Sequence, residues 1–202
     1  MTASEFWNER YQVSDYIFGV IPNDFIVVAT PSAIQGQKAY APADGEGRNG
    51  VHLATLGYNV TSIDVSNLAV DKAIALAKSK DVAINALVGD ALNTSFDDES
   101  FDLIIVCFMH FMLQDHDQFM AENKRLLKPG GLFIMEGYTV DQIPLKSGGP
   151  KNADMMMSAE ALAQTFDGYE MLFLQETRRT LNEGPRHQGE AATVQIKARK
   201  PY

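Results

Sequence analysis

The chain has 202 residues, 46% apolar and 21% charged. That composition describes one ordinary globular domain, able to bury roughly 70% of its unfolded surface, and excludes disordered or collagen-like chains. The longest apolar run, residues 103–109, is interrupted by His110 and falls far short of the roughly 18 residues of a membrane span. The opening Met-Thr-Ala-Ser-Glu-Phe-Trp-Asn-Glu-Arg has no basic start followed by an apolar core, so no secretory signal is expected and the cytoplasm is the expected location. A single cysteine, Cys107, permits no internal disulfide and no cysteine-based zinc cluster, and no metal site is expected. Seventeen basic against 26 acidic residues give a net charge of −9. Such a charge repels polyphosphates, and nucleic acid and membrane surfaces are not expected partners.

The first 36 residues are aromatic and irregular, with Phe6, Trp7, Tyr11, Tyr16 and Phe18, and are expected to form a helical cover over a sheet. From about residue 37 to 138, apolar runs and turn signals alternate as strand, helix, strand, the pattern of a parallel sheet with helical crossovers. A helix is expected over 48–56, a strand over 59–64, and a helix over 68–78 from the spacing of Leu68, Ala69, Ala73, Leu76 and Ala77. A weaker strand follows over 83–88. Residues 101–108 are almost continuously apolar, which marks a central strand covered on both faces. A helix over 116–127, N-capped by Asp115, is expected to stop at Lys128-Pro-Gly-Gly131 before a strand over 132–135. Residues 169–174 and 191–198 then read as an antiparallel pair joined by a long polar loop over 178–189. No repeat or composition shift marks a second domain, so residues 1–202 are expected to form one.

Gly45, Gly47 and Gly50 lie where the first strand hands over to the first crossover helix and spell G-x-G-x-x-G. Glycine suits a backbone that turns sharply against a ligand, and the helix start beyond it offers unpaired amides; a plain glycine-rich turn is the alternative. Asp64 ends the following strand, where a carboxylate can accept both hydroxyls of a ribose. Nicotinamide dinucleotide and S-adenosylmethionine both fit that pair. Chain length, the terminal antiparallel pair and the absence of a Tyr-x-x-x-Lys pair favour the second. Asp90, after the third strand, supplies an acidic residue for an adenine amino group, or is simply a turn residue.

Gly45-Glu-Gly-Arg-Asn-Gly50, residues 56–64, Gly89-Asp90, Phe101-Asp-Leu-Ile and Leu127-Lys-Pro-Gly-Gly131 resemble, in order and spacing, the class I S-adenosylmethionine-dependent methyltransferases. The N-terminal Phe-Trp-Asn-Glu-Arg-Tyr, Ser147-Gly-Gly-Pro-Lys151 and Glu183-Gly-Pro-Arg-His187-Gln-Gly189 are most similar to their small tellurite-resistance branch. The resemblance implies an α/β, Rossmann-like three-layer sandwich whose mostly parallel seven-stranded sheet ends in an antiparallel strand. It also implies methyl transfer from S-adenosylmethionine to a small-molecule or metalloid oxyanion acceptor, by a monomer or weak homodimer. On that resemblance the backbone of Ala43, Asp44, Gly45 and Gly47 holds the methionine end, with help from Arg48. Asp64 holds the ribose, Val65 lies against the adenine, Asp90 and Ala91 read its edge, and Cys107 lies beneath the methionine and ribose.

Two departures stand out. The loop's usual acidic residue is Ala41 and its first glycine is Ala43, tolerable if its φ is negative; the branch's serine on the fourth strand is Val106. His187 is the candidate general base or orienting group, with a solvent-facing loop histidine as the alternative. Arg178, Arg179 and Arg186 are candidates for binding an anionic acceptor, or are solvated surface charge. Asp115-His116-Asp117 reads as a helix start rather than a metal site, and His110 as a strand end near the site. A binding protein without turnover and a nicotinamide-dependent oxidoreductase remain as other readings.

Overall fold

The computed structural model describes residues 2–202. Seven strands form one sheet in the order β3-β2-β1-β4-β5-β7-β6. They are β1 (Lys38–Pro42), β2 (Asn59–Asp64), β3 (Asn85–Val88), β4 (Phe101–Cys107), β5 (Leu127–Tyr138), β6 (Glu170–Asn182) and β7 (Gln188–Arg199). β1 to β5 pair in parallel, while β7 runs antiparallel to both β5 and β6. The expected α/β, Rossmann-like sandwich with seven strands is the one observed.

The apolar run of β4 explains the layering. Leu103 and Ile105 enter one core with Ile26, Leu53 and Val60; Ile104 and Val106 enter the other with Phe119, Leu126 and Phe133. Successive side chains of a strand point to opposite faces, so both faces are covered. The helices α2 (Asp24–Ala29) and α3 (Arg48–Thr55) supply the first core, and α5 (Leu113–Leu126) and α6 (Ala159–Thr165) the second. The helix α1 (Ala3–Tyr11) lies on α4 (Asn67–Ser79), where Trp7 stacks on Tyr11 at 5.5 Å and both pack with Phe18, Leu68 and Ala69. No helix of the described residues is long and apolar enough to cross a membrane.

Several local expectations are corrected. The long polar loop over 178–189 is mostly strand: β6 runs to Asn182, β7 starts at Gln188, and Glu183 N donates to His187 O at 2.8 Å across the short connection. Its polarity belongs to the exposed face of an edge strand. The helix α5 begins at Leu113, and its N-cap, Met112, makes no side-chain cap bond. Asp115 is not the cap but sits in the first turn, where a carboxylate still favours the positive helix end. Lys128 to Gly131 lie within β5, which slips register against β4 there. The short α6 escaped detection, because seven residues carry little periodicity.

Candidate functional site

Strand order reverses between β1 and β4, and the loops after β1, β2, β3 and β4 leave the carboxyl edge of the sheet there, the usual place for a ligand crevice. Asp64, at the end of β2, is buried. Its Oδ2 accepts from Gly45 N at 3.0 Å and its Oδ1 from Ser66 N at 2.9 Å. Each oxygen keeps a second lone pair, enough for two hydroxyl donors. Burial raises its pKa, and the two amide bonds oppose the shift. Val65 is half-buried beside it. After β3, exposed Asp90 accepts from Leu92 N at 2.9 Å, next to buried Ala91.

Two glycines of the loop make room for neighbouring side chains. The enclosed Asp44 carboxylate accepts the amide of Gly50, in the first turn of α3, at 3.2 and 3.1 Å. A side chain at position 50 would collide with Asp44 Oδ2, and one at Gly47 would meet Ala73 Cβ of α4 at 2.6 Å. These glycines admit Asp44 and a neighbouring helix. Burial pushes Asp44 up to about 7. A carboxylate installed at the helix start occupies the place a diphosphate would take, so the geometry disfavours a dinucleotide. Ala43 has φ +49, in the left-handed region, so the negative φ that would make alanine tolerable there is not what the loop adopts.

Arg48 is buried and its Nη1 lies 2.6 Å from Glu183 Oε2; its Nη2 donates to Cys107 Sγ at 3.7 Å. The cation expected at the methionine end is therefore already paired. Burial holds the Cys107 thiol well above its ordinary range, so it is neutral packing. Beyond Arg48, Arg179 donates to both oxygens of Glu136 at 2.8 and 2.6 Å and to Glu183 Oε1 at 2.7 Å. Asn23 Nδ2 donates to Glu136 and Glu183, and Gln195 Nε2 to Glu136 at 2.8 Å. This buried clasp ties the N-terminal segment to α3, β5, β6 and β7. Sequence reasoning missed Asn23 and the pairing of Glu136; a lone carboxylate inside the apolar run of β5 is the one signal that pointed there.

His187 is not a solvent-facing loop residue: it is 6% exposed, and its ring lies 4.6 Å from Phe18 and 4.8 Å from Phe108. Burial, reinforced by the charge of Arg48, pushes it down to about 3. The other two arginine candidates are not brought to it. Arg178 is largely exposed and pairs with Glu190 at 3.1 Å and Asp141 at 3.7 Å, and Arg186 is exposed.

Residues 42–135 match the family described as a methyltransferase domain. Demethylmenaquinone methyltransferase of Renibacterium salmoninarum is 29% identical over 114 residues, covering 56% of this chain and 46% of that protein. The chain thus spans less than half the length of this curated relative. Among solved structures, an S-adenosylmethionine-dependent methyltransferase of Methanosarcina mazei superposes with a TM-score of 0.64 at 17% identity, over 90% of this chain and 99% of that one. TehB of Haemophilus influenzae superposes with a TM-score of 0.69 at 18% identity, over 98% of this chain and 66% of that one. The fold is the one shared by S-adenosylmethionine-dependent methyltransferases of known structure, and residues 42–135 carry the likeness to a methyltransferase domain. The residues fit S-adenosylmethionine at its adenosine end, where Asp64 keeps free lone pairs next to apolar Val65 and its carbonyl accepts from Gly89 N, at the start of the loop that carries Asp90 and Ala91, at 2.9 Å.

Proposed function

We propose that the protein transfers a methyl group from S-adenosylmethionine to a small molecule. The observation that carries this reading is Asp64, a buried carboxylate that spends only one lone pair per oxygen on backbone amides. Asp64 holds the ribose, Val65 and Ala91 flank the adenine, and Asp90 accepts from its edge. The backbone of Ala43 to Gly47 meets the methionine end, with Arg48, fixed by Glu183, lying behind it. When bound, S-adenosylmethionine supplies an electrophilic methyl group, whose bond to sulfur breaks, leaving the electron pair on sulfur, as the acceptor atom bonds to carbon. The chain's own contribution is to position the acceptor and exclude water. His187, uncharged and enclosed by Phe18 and Phe108, orients the acceptor, and its pKa, pushed down to about 3, makes it too weak a base to hold the acceptor's proton near neutral pH. His187 and the fold shared with TehB support the tellurite-resistance branch; Arg178 and Arg186, both at the surface, do not support an anionic acceptor. The free, half-buried Cys107 supports a reducing, cytoplasmic setting.

The test is incubation with methyl-labelled S-adenosylmethionine and a panel of phenols, thiols, tellurite and selenite. Labelled product from a panel member is expected. Tight cofactor binding with no product from any member would mark a binding protein without turnover.

A further inference from the structure

The sheet ends in two very different edges. β3 closes one side with four residues, Asn85–Val88. β6 closes the other with thirteen, Glu170–Asn182, and among the described residues it pairs with β7 alone. An edge strand presents a row of N–H and C=O groups to any chain that can extend the sheet, and soluble proteins guard against this with short edges, proline, lysine or bulges. The shortness of β3 is such a guard. β6 contains neither proline nor lysine, and its irregularity at Leu172 leaves a regular ladder from Phe173 to Asn182.

Apolar surface gathers at the same edge. Met171, Leu172 and Phe173 are 36–38% exposed. Phe173 lies 5.6 Å from Phe25 of α2, a helix whose Val28 is 86% exposed. Charge along β6 is divided as well, since Glu170 and Glu176 precede Arg178 and Arg179. Arg179 belongs to the buried clasp, but Arg178 is exposed and holds Glu190 and Asp141 of its own chain at 3.1 and 3.7 Å. Glu176 is exposed too, its Oε1 accepting from Ala159 N at the start of α6 at 2.7 Å. That contact puts Glu176 on the α6 face of the sheet, and Arg178, two residues along the strand, shares the face.

We propose that β6 is the interface of a homodimer, in which the β6 strands of two copies pair antiparallel about a two-fold axis through Thr177. Pairing a strand with itself in this way is isologous, so every contact occurs twice. Centred on Thr177, it sets Glu176 of each copy directly opposite Arg178 of the other, on one face and within reach of an ion pair. It also sets Phe173 opposite Leu181, on the face that carries Phe25. Pairing from Phe173 to Leu181 adds roughly eight to ten main-chain hydrogen bonds, as many as a standard interface carries. Charge selects the register. Two chains of net charge −9 repel, and an axis through Glu176 or Arg178 would add a like-charged pair at its centre.

The test is sedimentation velocity of the full chain across the micromolar range. The wild type is expected to pass from one copy to two as its concentration rises. Glu176→Arg and Arg178→Glu each put like charges together on both sides of the axis, and each alone is expected to weaken dimerisation roughly tenfold or more. An equal mixture of the two variants puts the acidic pair of one copy against the basic pair of the other, and is expected to restore a dimer containing both. Glu176→Arg also removes the bond to Ala159 N. That loss persists in the mixture, so recovery of the dimer separates charge pairing from a weakened fold. A wild type that remains a single copy throughout the range would overturn the proposal. So would a dimer that neither single variant weakens, or a mixture that fails to associate while circular dichroism shows both variants folded.

Discussion

The two halves of the site handle buried carboxylates in opposite ways. On the β1–β3 side, Asp44 and Asp64 are held by backbone amides contributed from nearby in the chain: Gly50 N for the first, Gly45 N and Ser66 N for the second. On the β5–β7 side, Glu136 and Glu183 are held by the guanidinium groups of Arg48 and Arg179, with Asn23 bridging them from far away in sequence. Amides satisfy a carboxylate while leaving it lone pairs and charge for a ligand. Arginines neutralise it and turn it into a clamp. The first arrangement suits the proposed cofactor site; the second joins the N-terminal segment to the last strands.

The comparison breaks most sharply at Arg179. Arg179→Ala leaves Glu136 and Glu183 buried with a lost counter-charge, and should cost about 3–5 kcal/mol in urea unfolding. Asp64→Ala should instead leave the fold largely intact and weaken S-adenosylmethionine binding by about 3 kcal/mol, more than a hundredfold, since two hydrogen bonds to a charged group are lost.

Asp44 sharpens the amide side through pH. Its folded pKa of about 7 lies above the ordinary value of 3.8, so the folded state binds more protons than the unfolded chain between those values. Its contribution is therefore fully present below about pH 4 and is lost as pH rises toward 7. Buried His110 and His187 work in the opposite direction, since their folded pKa values lie below 6.5 and their neutral forms favour folding as pH rises. The difference between wild type and Asp44→Asn isolates the carboxylate. Chemical unfolding at a series of pH values should show the wild type losing roughly 2–4 kcal/mol relative to the variant from pH 4 to pH 7. The smallest effect is at Ala43, whose left-handed backbone suits glycine. Ala43→Gly should raise stability by roughly 0.5 kcal/mol, the relief of strain exceeding the entropy of a more flexible unfolded chain.

These halves differed in legibility for the same reason. The strands β1 to β4, the positions of Asp64 and Asp90 at and after strand ends and the turn at the glycine loop could be read because each depends on residues close in sequence: apolar alternation, a strand end, a turn. The use of the loop could not. That Gly50 makes room for the Asp44 carboxylate follows from a fold-dependent contact and not from the glycine spacing. The clasp was hidden because its members lie on five separate elements, and polar residues on an edge strand read as loop, which also concealed most of β6. His110 seemed a strand end until Met155, 45 residues away, fixed its ring.

The most direct test of the account is calorimetric titration with S-adenosylmethionine, S-adenosylhomocysteine and NAD, for the wild type and Asp64→Ala. The account predicts micromolar binding of both adenosyl ligands, lost in the variant, and no binding of NAD. Binding of NAD, or of neither adenosyl ligand, would contradict it.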